Sequence, residues 1–321
     1  MMRKRLAVVL AGLMLVMSMT ACSGSKKKVG IIQFADHGSL DNCRTGFVEG
    51  LAEEGFKDGE NIEIQYQSGQ ADMNVTNQIA QTYASSGMSL VCGIATPAAQ
   101  AAYAACLDKN IPVVFNAVSD PVAAKLAKSK TEAVDGISGI SDELPVEAQL
   151  KLIRAVLPEA KKIGILYTTG EANSVSTIKT YKELAGKYGF EIVDKGIGKQ
   201  AEVAQAADVL IGEVDCISNM TDNTVVSALA AVLEKANAKK IPVFGSEEEQ
   251  VKNGCIASAG LDYVELGKMA GRMAAKVLKG EDIKNLPYQT VENPVITVNE
   301  KVAQDLGITI PEDVLKGANV Q

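Results

Sequence analysis

The sequence contains a single histidine, His37, no tryptophan, and only 4% aromatic residues among its 321 residues. Zinc centres built from several histidines are therefore excluded, and most histidine-based catalysis would depend on one side chain. The phosphate loop G-x-x-x-x-G-K-[ST] and the G-x-S-x-G, H-E-x-x-H and G-x-G-x-x-G motifs are also missing. These patterns are typical of ATPases, hydrolases, zinc proteases and dinucleotide enzymes. We therefore expect a protein that is not an enzyme and holds neither a cofactor nor a metal.

Positive charge is in deficit. Lysine and arginine total 32 against 39 aspartate and glutamate residues, for a formal net charge of −7. Because an acidic chain is repelled by a phosphate backbone, the composition argues against a nucleic-acid partner. The fractions of hydrophobic and charged residues are ordinary for a globular protein. The length predicts about two domains.

Long hydrophobic runs are missing as well, so the sequence predicts no membrane-spanning helix. The longest apolar run, residues 6–17, follows three basic residues and precedes a few small residues. This order is typical of a secretory signal peptide. We therefore predict a leader over residues 1–21 and an extracytoplasmic location.

The leader ends directly before Cys22, in a pattern that resembles a bacterial lipobox. The resemblance implies that Cys22 carries a lipid anchor (palmitate among its acyl chains), which places the protein on the outer face of the cell membrane. Residues 22–28 would form a lipidated flexible tether, whose lysines can approach anionic headgroups. A plain signal peptide with an incidental cysteine is the alternative.

Few cysteines remain beyond Cys22. They are Cys43, Cys92, Cys106, Cys216 and Cys255. Their number is odd, no pair has the C-x-x-C spacing, and the chain is too large to need a disulfide framework. We interpret them as small buried hydrophobic residues and not as metal ligands.

The rest of the chain repeats one order of elements. A short apolar strand is predicted at residues 29–34 and again at 163–167, each after lysines. In both halves, strands then alternate with amphipathic helices, and the fourth strands, 111–115 and 241–244, again lie about 130 residues apart. Strands that alternate with helices are typical of a parallel sheet covered on both faces.

We therefore predict an α/β fold with two doubly wound parallel-sheet lobes joined by a three-strand hinge. The first lobe would comprise residues 29–141 plus 257–287, and the second lobe residues 142–256 plus 288–321. Ligands of such sheets bind at the carboxyl ends of the strands. The cleft between the lobes is therefore the expected site.

Several loops carry a more specific resemblance. They are residues 37–41, 95–100, 116–121, 171–174, 221–224, 260–263 and 306–311. In this order they resemble the ABC-transporter substrate-binding lipoproteins of the tryptophan/tyrosine-binding family, which have the type I periplasmic-binding-protein fold. Gly38 stands where that family commonly has proline. The resemblance implies a monomer that binds an aromatic or bulky apolar amino acid and delivers it to ABC permease and ATPase subunits.

The same loops supply the predicted ligand contacts, since each follows a strand and begins a helix. Helix N-termini carry free N–H groups and partial positive charge, which favour a carboxylate. Hydroxyl groups that could assist are those of Thr96, Ser119 and Ser174. Carboxylates that could hold the ligand's ammonium are those of Asp120, Glu171 and Asp222. The full predicted set is His37, Leu40, Asp41, Thr96, Pro97, Ala98, Ser119, Asp120, Glu171, Asn173, Ser174, Asp222, Asn223 and Asp262.

Each of these residues also has an ordinary structural interpretation. Serine, threonine, aspartate and asparagine are preferred as helix caps and in turns whether or not a ligand binds. Phe34, Phe115 and Tyr167, at strand ends, could stack on an aromatic ligand or simply belong to the core.

Two other functions fit the same sequence. A surface lipoprotein that acts as an adhesin or a sensor co-receptor would need the same leader and fold. A hydrolase built on two lobes would depend on His37 as its base. A transcriptional regulator is excluded by the leader and by the absence of a helix-turn-helix.

Overall fold

Strands and helices alternate along the computed structural model, which describes residues 26–291 and 293–321. The strands are β1 (Lys27–Gln33), β2 (Ile62–Ser68), β3 (Leu90–Ile94), β4 (Val113–Asn116), β5 (Ala127–Ser129), β6 (Glu132–Ala133), β7 (Ile137–Ser141), β8 (Lys162–Thr168), β9 (Glu191–Ile197), β10 (Cys216–Ser218), β11 (Val243–Phe244), β12 (Ala257–Gly260), β13 (Gln289–Thr290), β14 (Val295–Val298) and β15 (Ala318–Val320). The helices are α1 (Gly38–Glu53), α2 (Met73–Ser85), α3 (Thr96–Cys106), α4 (Val146–Val156), α5 (Ala172–Leu184), α6 (Val203–Ile211), α7 (Asn223–Ser227), α8 (Leu229–Ala238), α9 (Glu248–Lys252), α10 (Tyr263–Leu278), α11 (Glu300–Leu306) and α12 (Glu312–Leu315).

The predicted leader and Cys22 lie outside the described residues. Within those residues, no helix is both long and apolar enough to cross a membrane.

Six parallel strands form the sheet of the first lobe, in the order β13–β7–β4–β3–β1–β2. The strands β3, β4 and β7 are fully buried, because neighbouring strands and helices cover them. Continuous apolar runs such as Leu90–Ile94 are what a strand buried on both faces requires.

The second lobe contains the parallel sheet β11–β10–β8–β9. A bridge between Gly245 and Ser258 continues it into the three-stranded sheet β12–β14–β15. The order β9–β8–β10–β11 repeats the order β2–β1–β3–β4 of the first lobe. The repeat predicted from sequence is therefore a structural one, and the predicted α/β class with two parallel-sheet lobes is confirmed.

Glycines fix how α10 packs on α1. A Cβ added to Gly46 would lie 2.0 Å from the carbonyl oxygen of Val264, and one added to Gly271 would lie 2.3 Å from that of Phe47. Gly50 and Gly267 make equally close approaches. With glycine at these four places the two helix backbones meet directly. This contact holds Tyr263, the first residue of α10, beside the start of α1.

The chain passes between the lobes three times, after β7, between β12 and α10, and between β13 and β14. The first passage follows β7, which ends at Ser141. The other two lie a few residues later than predicted. Ala257–Gly260 pairs with β14 of the second lobe, whereas Gln289–Thr290 pairs with β7 of the first. Strand pairing decides these boundaries, and pairing partners are not visible in the apolar pattern alone.

Candidate functional site

A narrow cavity lies between the lobes, where the strands of both sheets end. Residues directly after β3, β4, β7 and β10 form much of its wall. The lining residues are His37, Ser39, Leu40, Ala95, Thr96, Ala117, Ser119, Asp142, Asn173, Thr221, Asn223, Val226, Gln250 and Tyr263. Residues of both lobes therefore face the same narrow space.

In the first lobe, the helices that reach the cavity have open N-termini. Neither α1 nor α3 has a side chain that caps its first N–H groups. In α3 the hydrogen bond from Ala99 N–H to the Ala95 carbonyl is the first of the helix, so the N–H groups of Thr96 and Ala98 have no helical partner. The hydroxyl oxygen of Thr96 is buried and also lacks a partner. These groups form an anion-binding corner.

The backbone is strained at the same corner. Ala95 and Ala117 have φ angles of 75° and 56°, in the left-handed region that alanine rarely adopts. Both residues follow buried strands and line the cavity. Strain of this kind is concentrated at functional sites because the surrounding structure must hold it in place.

In the second lobe, the helix equivalent to α3 is α7, and its N-terminus is not open. The first N–H groups of α7 are already occupied by two carboxylates of the same lobe. Glu171 accepts from the backbone and side chain of Asn223 at 3.2 and 2.6 Å, and from those of Thr224 at 3.1 and 2.8 Å. Burial and the nearby charge of Asp222 raise the pKa of Glu171 above its usual range.

Asp222 is the second of these carboxylates and is fully buried. It accepts from Thr168 N–H at 2.5 Å, from the Thr168 hydroxyl at 2.8 Å, from the Ser174 hydroxyl at 2.7 Å and from Val225 N–H at 2.8 Å. The carboxylates of Glu171 and Asp222 therefore tie the loops of the second lobe together. Neither residue lines the cavity.

Asn173 is the residue of α5 that reaches the cavity. Its amide group donates to the Thr221 carbonyl at 3.1 Å, while its side-chain oxygen is buried without a partner. The residue is 3% exposed. It can therefore present an acceptor to a ligand from the second lobe.

His37 stands at the N-terminus of α1, on the cavity wall. Burial lowers the pKa of His37 to about 4, although Asn223 beside the ring and two aspartates nearby oppose that shift. The side chain of Asn223 lies beside the ring, and both ring nitrogens are buried. A neutral imidazole offers one donor and one acceptor. His37 can therefore donate a hydrogen bond to a polar group of a ligand or accept one from it.

Asp142 is the carboxylate that the structure brings to the cavity. It follows β7 at the first passage between the lobes and is 3% exposed. The Ser119 hydroxyl donates to one oxygen at 2.9 Å and the Tyr263 hydroxyl to the other at 2.7 Å. Burial raises the pKa of Asp142, while these two hydrogen bonds oppose the shift.

The lobes touch on both sides of the cavity. On one side, the hydroxyl of Ser39 bonds to the buried Glu247, and the amide of Asn42 donates to Glu249 at 3.2 Å. On the other side, the hydroxyl of Ser176 donates to Asp120. Because each contact joins one lobe to the other, the structure corresponds to a closed arrangement.

The structure divides the predicted site residues into two groups. Six of them line the cavity, namely His37, Leu40, Thr96, Ser119, Asn173 and Asn223. The other eight do not: Asp41, Pro97, Ala98, Asp120, Glu171, Ser174, Asp222 and Asp262. Most members of the second group have structural partners. For example, Asp41 pairs with Arg44 at 3.2 Å, and Asp262 caps α10 at Val264 and Glu265.

The predicted ammonium role of Asp120, Glu171 and Asp222 is not supported by these contacts. Asp120 caps Ala123 N–H at 2.9 Å and bonds to Ser176, so all three carboxylates are engaged by the protein itself. Phe34, Phe115 and Tyr167, for which both stacking on a ligand and a place in the core were considered, do not line the cavity. Phe34 and Phe115 are core residues.

Some lining residues carried no usable signal in the sequence. Ala95 and Ala117 are small apolar residues that only a left-handed backbone brings to the wall. Asp142 follows an apolar strand without any motif. Ser39 and Tyr263 lie inside segments that carry the family resemblance, and that resemblance was the only signal that could have indicated them.

An α/β fold of two lobes, closed over a polar pocket at their strand ends, defines a solute-binding protein of the type I periplasmic class. The family model for ABC transporter substrate-binding proteins matches residues 28–321. The chain belongs to this family, whose members bind solutes and are not enzymes. Among the described residues there is no group of three or more His, Cys, Asp or Glu placed to hold a metal ion.

Three relatives place the chain within this family. A tyrosine-binding protein of Clostridioides difficile is 39% identical over 95% of this chain and 92% of its own length. A Streptococcus pneumoniae ABC domain in complex with L-Trp is 36% identical, with a TM-score of 0.89 over 92% of this chain and 100% of its own. The ligand-free, open structure of a substrate-binding protein with adhesive properties from Clostridium difficile is 41% identical, with a TM-score of 0.69 over 92% and 99%.

Proposed function

We propose that this protein captures an aromatic amino acid between its lobes and presents it to an ABC importer. The observation that carries the proposal is the closed cavity, which combines an open helix N-terminus, a strained strand end and buried polar groups without partners. The names of two relatives, a tyrosine-binding protein and an L-Trp complex, support the choice of ligand class.

The ligand's carboxylate would bind at the start of α3. The free N–H groups of Thr96 and Ala98 and the Thr96 hydroxyl are donors, and the helix dipole adds favourable charge. Leu40 and Val226 provide apolar surface on opposite lobes, against which a side chain can be buried.

Closure would follow from binding. A ligand that contacts both lobes stabilises the closed arrangement over the open one. The TM-score is 0.89 to the L-Trp complex and 0.69 to the ligand-free, open relative. This difference supports a closed arrangement of the two lobes, closer to the L-Trp complex than to the open relative.

The remaining parts of the proposal concern location and partners. Cys22 would carry the lipid anchor, and the tether would end before β1, because Lys27 and Lys28 of the predicted tether pair with β2. The monomeric binding domain would work on the extracytoplasmic face beside ABC permease and ATPase subunits. Replacing Cys22 by alanine should release the protein from the membrane fraction. Retention of the Cys22→Ala variant in membranes would contradict the lipid anchor without touching the ligand assignment.

A thermal-shift screen of the twenty amino acids tests the ligand class. Ligand at about 100 times its Kd stabilises the folded state by about 2.7 kcal/mol, so the melting temperature should rise for tyrosine, tryptophan or phenylalanine. A rise with a sugar or a nucleoside and none with any amino acid would show that the ligand class is wrong.

A second function, adhesion, is favoured by one observation: a relative 41% identical to this chain is described as having adhesive properties. An adhesin would bind a host surface with or without solute. The purified protein should then adhere equally to host cells whether or not tyrosine is present. Absence of adherence in both conditions would leave solute capture as the only proposed function.

A further inference from the structure

We infer that Asp142 binds the ammonium group of the amino-acid ligand, and that the protein selects for a cationic amine through this one carboxylate. The inference rests on the proposed function. It concerns a residue that the sequence did not indicate and that lies at the hinge between the lobes.

The first argument is charge. Asp142 is 3% exposed, yet none of the ion pairs among the described residues includes it. A carboxylate buried without a countercharge is costly, and such groups are normally paired. Because Asp142 borders the cavity, a cation from the ligand can supply the missing partner.

The second argument is capacity. An ionised carboxylate offers about four acceptor positions. Three are used, by the Ser119 hydroxyl at 2.9 Å, the Tyr263 hydroxyl at 2.7 Å and the backbone N–H of Asp142 itself. These neutral donors orient the carboxylate and leave an acceptor position for an N–H group of an ammonium.

The third argument is exclusion. Within the described part of the chain, Asp142 is the only acidic residue of the cavity wall. The rival carboxylates of Glu171 and Asp222 each accept from donors of their own lobe. Asp120 is engaged by Ala123 and Ser176.

The position of Asp142 has a mechanical consequence. Asp142 follows β7 at the first passage between the lobes, and Tyr263 follows β12 at the second. Their hydrogen bond therefore joins two hinge segments. A bound ammonium would favour the ionised form of the Asp142 carboxylate, which accepts the hydrogen bond from Tyr263. The ligand's amine would therefore be bound at the hinge between the lobes.

The test compares wild-type protein with Asp142→Asn by calorimetry. Three probes separate the charges of the ligand: L-tyrosine, its analogue without the amine (3-(4-hydroxyphenyl)propanoic acid), and its analogue without the carboxylate (tyramine). Asp142→Asn should weaken binding of L-tyrosine and of tyramine by about 30- to 1,000-fold, as expected for loss of a buried charge pair. Binding of the analogue without the amine should change by less than about 3-fold.

Asp120→Asn is the matched control, because it removes a carboxylate at the cleft that does not line the cavity. It should keep the preference for L-tyrosine over the analogue without the amine. Tyr263→Phe is a second variant that keeps the Asp142 charge. It should weaken L-tyrosine binding by about 10-fold or less and retain the same preference.

The outcomes are distinct. Equal weakening of all three probes in Asp142→Asn would indicate a structural role and overturn the inference. Weakening confined to the two probes that carry a carboxylate would mean that Asp142 acts as a protonated donor, which also overturns it. If Asp142→Asn does not fold, loss of the amine preference in Tyr263→Phe overturns it and retention supports it. Failure of wild-type protein to bind L-tyrosine or L-tryptophan would overturn the proposed function first and this inference with it.

Discussion

The two lobes share one strand order but use their helix N-termini in opposite ways. In the first lobe, no side chain among residues 26–291 and 293–321 caps the start of α3, and the Thr96 hydroxyl has no partner there either. In the second lobe, the amides at the start of α7 are occupied by Glu171 and Asp222. The same local feature is thus left uncapped in one lobe and bonded to the protein's own carboxylates in the other.

This difference shows that a repeated fold does not imply a repeated site. A helix N-terminus is a potential anion site. Either a ligand or a buried carboxylate of the protein itself can occupy it. In the second lobe the protein's own carboxylates occupy the amides. No side chain of the described residues caps the amides at the start of α3.

The largest expected effect lies in the second lobe. Asp222→Ala removes a fully buried acceptor of four hydrogen bonds. We expect the free energy of unfolding to fall by about 3–5 kcal/mol, because four buried donors lose their partner. Urea denaturation measures it.

Asp262→Ala provides a control for this prediction, since Asp262 also caps a helix but is exposed. It should cost about 1 kcal/mol. Equal losses for the two variants would mean that Asp222 is an ordinary cap and would remove the contrast between the lobes.

A second test uses pH, because groups on the two sides of the cleft titrate in opposite senses. His37 has a pKa lowered to about 4 by burial, and Glu247 has a pKa raised to about 7 by burial. Between about pH 4 and 6.5, His37 is neutral when folded but protonated when unfolded, so its contribution to stability rises with pH. Between about pH 4.5 and 7, Glu247 is protonated when folded but ionised when unfolded, so its contribution falls with pH.

Replacing each residue by glutamine should separate the two contributions to the pH dependence of the unfolding free energy. From about pH 4.5 to 6.5, the unfolding free energy of His37→Gln should decline more steeply with pH than that of wild type. The unfolding free energy of Glu247→Gln should decline less steeply than that of wild type. Each variant's slope should differ from the wild-type slope by at most about 1.4 kcal/mol per pH unit. Urea titrations at four pH values measure the curves. The double variant should return towards the wild-type slope, and parallel curves for all four proteins would contradict the assigned burial.

A smaller effect distinguishes two buried threonines, one at the carboxyl end of a strand in each lobe. Thr96→Val removes a buried hydroxyl that has no protein partner, so affinity for L-tyrosine should fall by about 10-fold with little change in stability. Thr168→Val removes a hydroxyl that donates to Asp222 and should lower stability by about 1–3 kcal/mol instead. Calorimetric titration measures the affinity of both variants for L-tyrosine, and urea denaturation measures their free energies of unfolding. A loss of stability in Thr96→Val would contradict the comparison.

The smallest effect concerns a contact between the lobes. Asn42→Ala removes the hydrogen bond to Glu249 across the cleft, which is partly exposed. Affinity for L-tyrosine should weaken by about 2-fold, because exposed polar contacts contribute little. Asn61→Ala, which removes a bond within the first lobe, should leave affinity unchanged. A tenfold loss in Asn42→Ala would show that this contact governs closure.

Much of the architecture was predictable. The apolar runs at 29–34 and 163–167 predicted β1 and β8 within about two residues, because strands buried on both faces must be continuously apolar. The order of strands and helices predicted two parallel sheets. The later boundaries were placed too early, because β12 and β13 are short and their pairing partners lie far along the chain.

The site was predictable only in part. Thr96, Ser119 and Asn173 follow strands and start helices, so their position in the sequence already placed them at the strand ends. The same rule also selected Glu171 and Asp222, which the structure uses inside the second lobe. Residue type cannot show whether a carboxylate faces a ligand or a neighbouring loop.

The sequence by itself determined the paired lobes, since the alternation of apolar strands and amphipathic helices is a local pattern that each half repeats. Only the tertiary structure decided which charged groups face the cleft. Asp142 meets Ser119 and Tyr263, residues 23 and 121 positions away, and glycine contacts between α1 and α10 bring the last of these into place. Burial and hydrogen-bond partners come from such distant contacts, and they determine whether a carboxylate can accept a ligand.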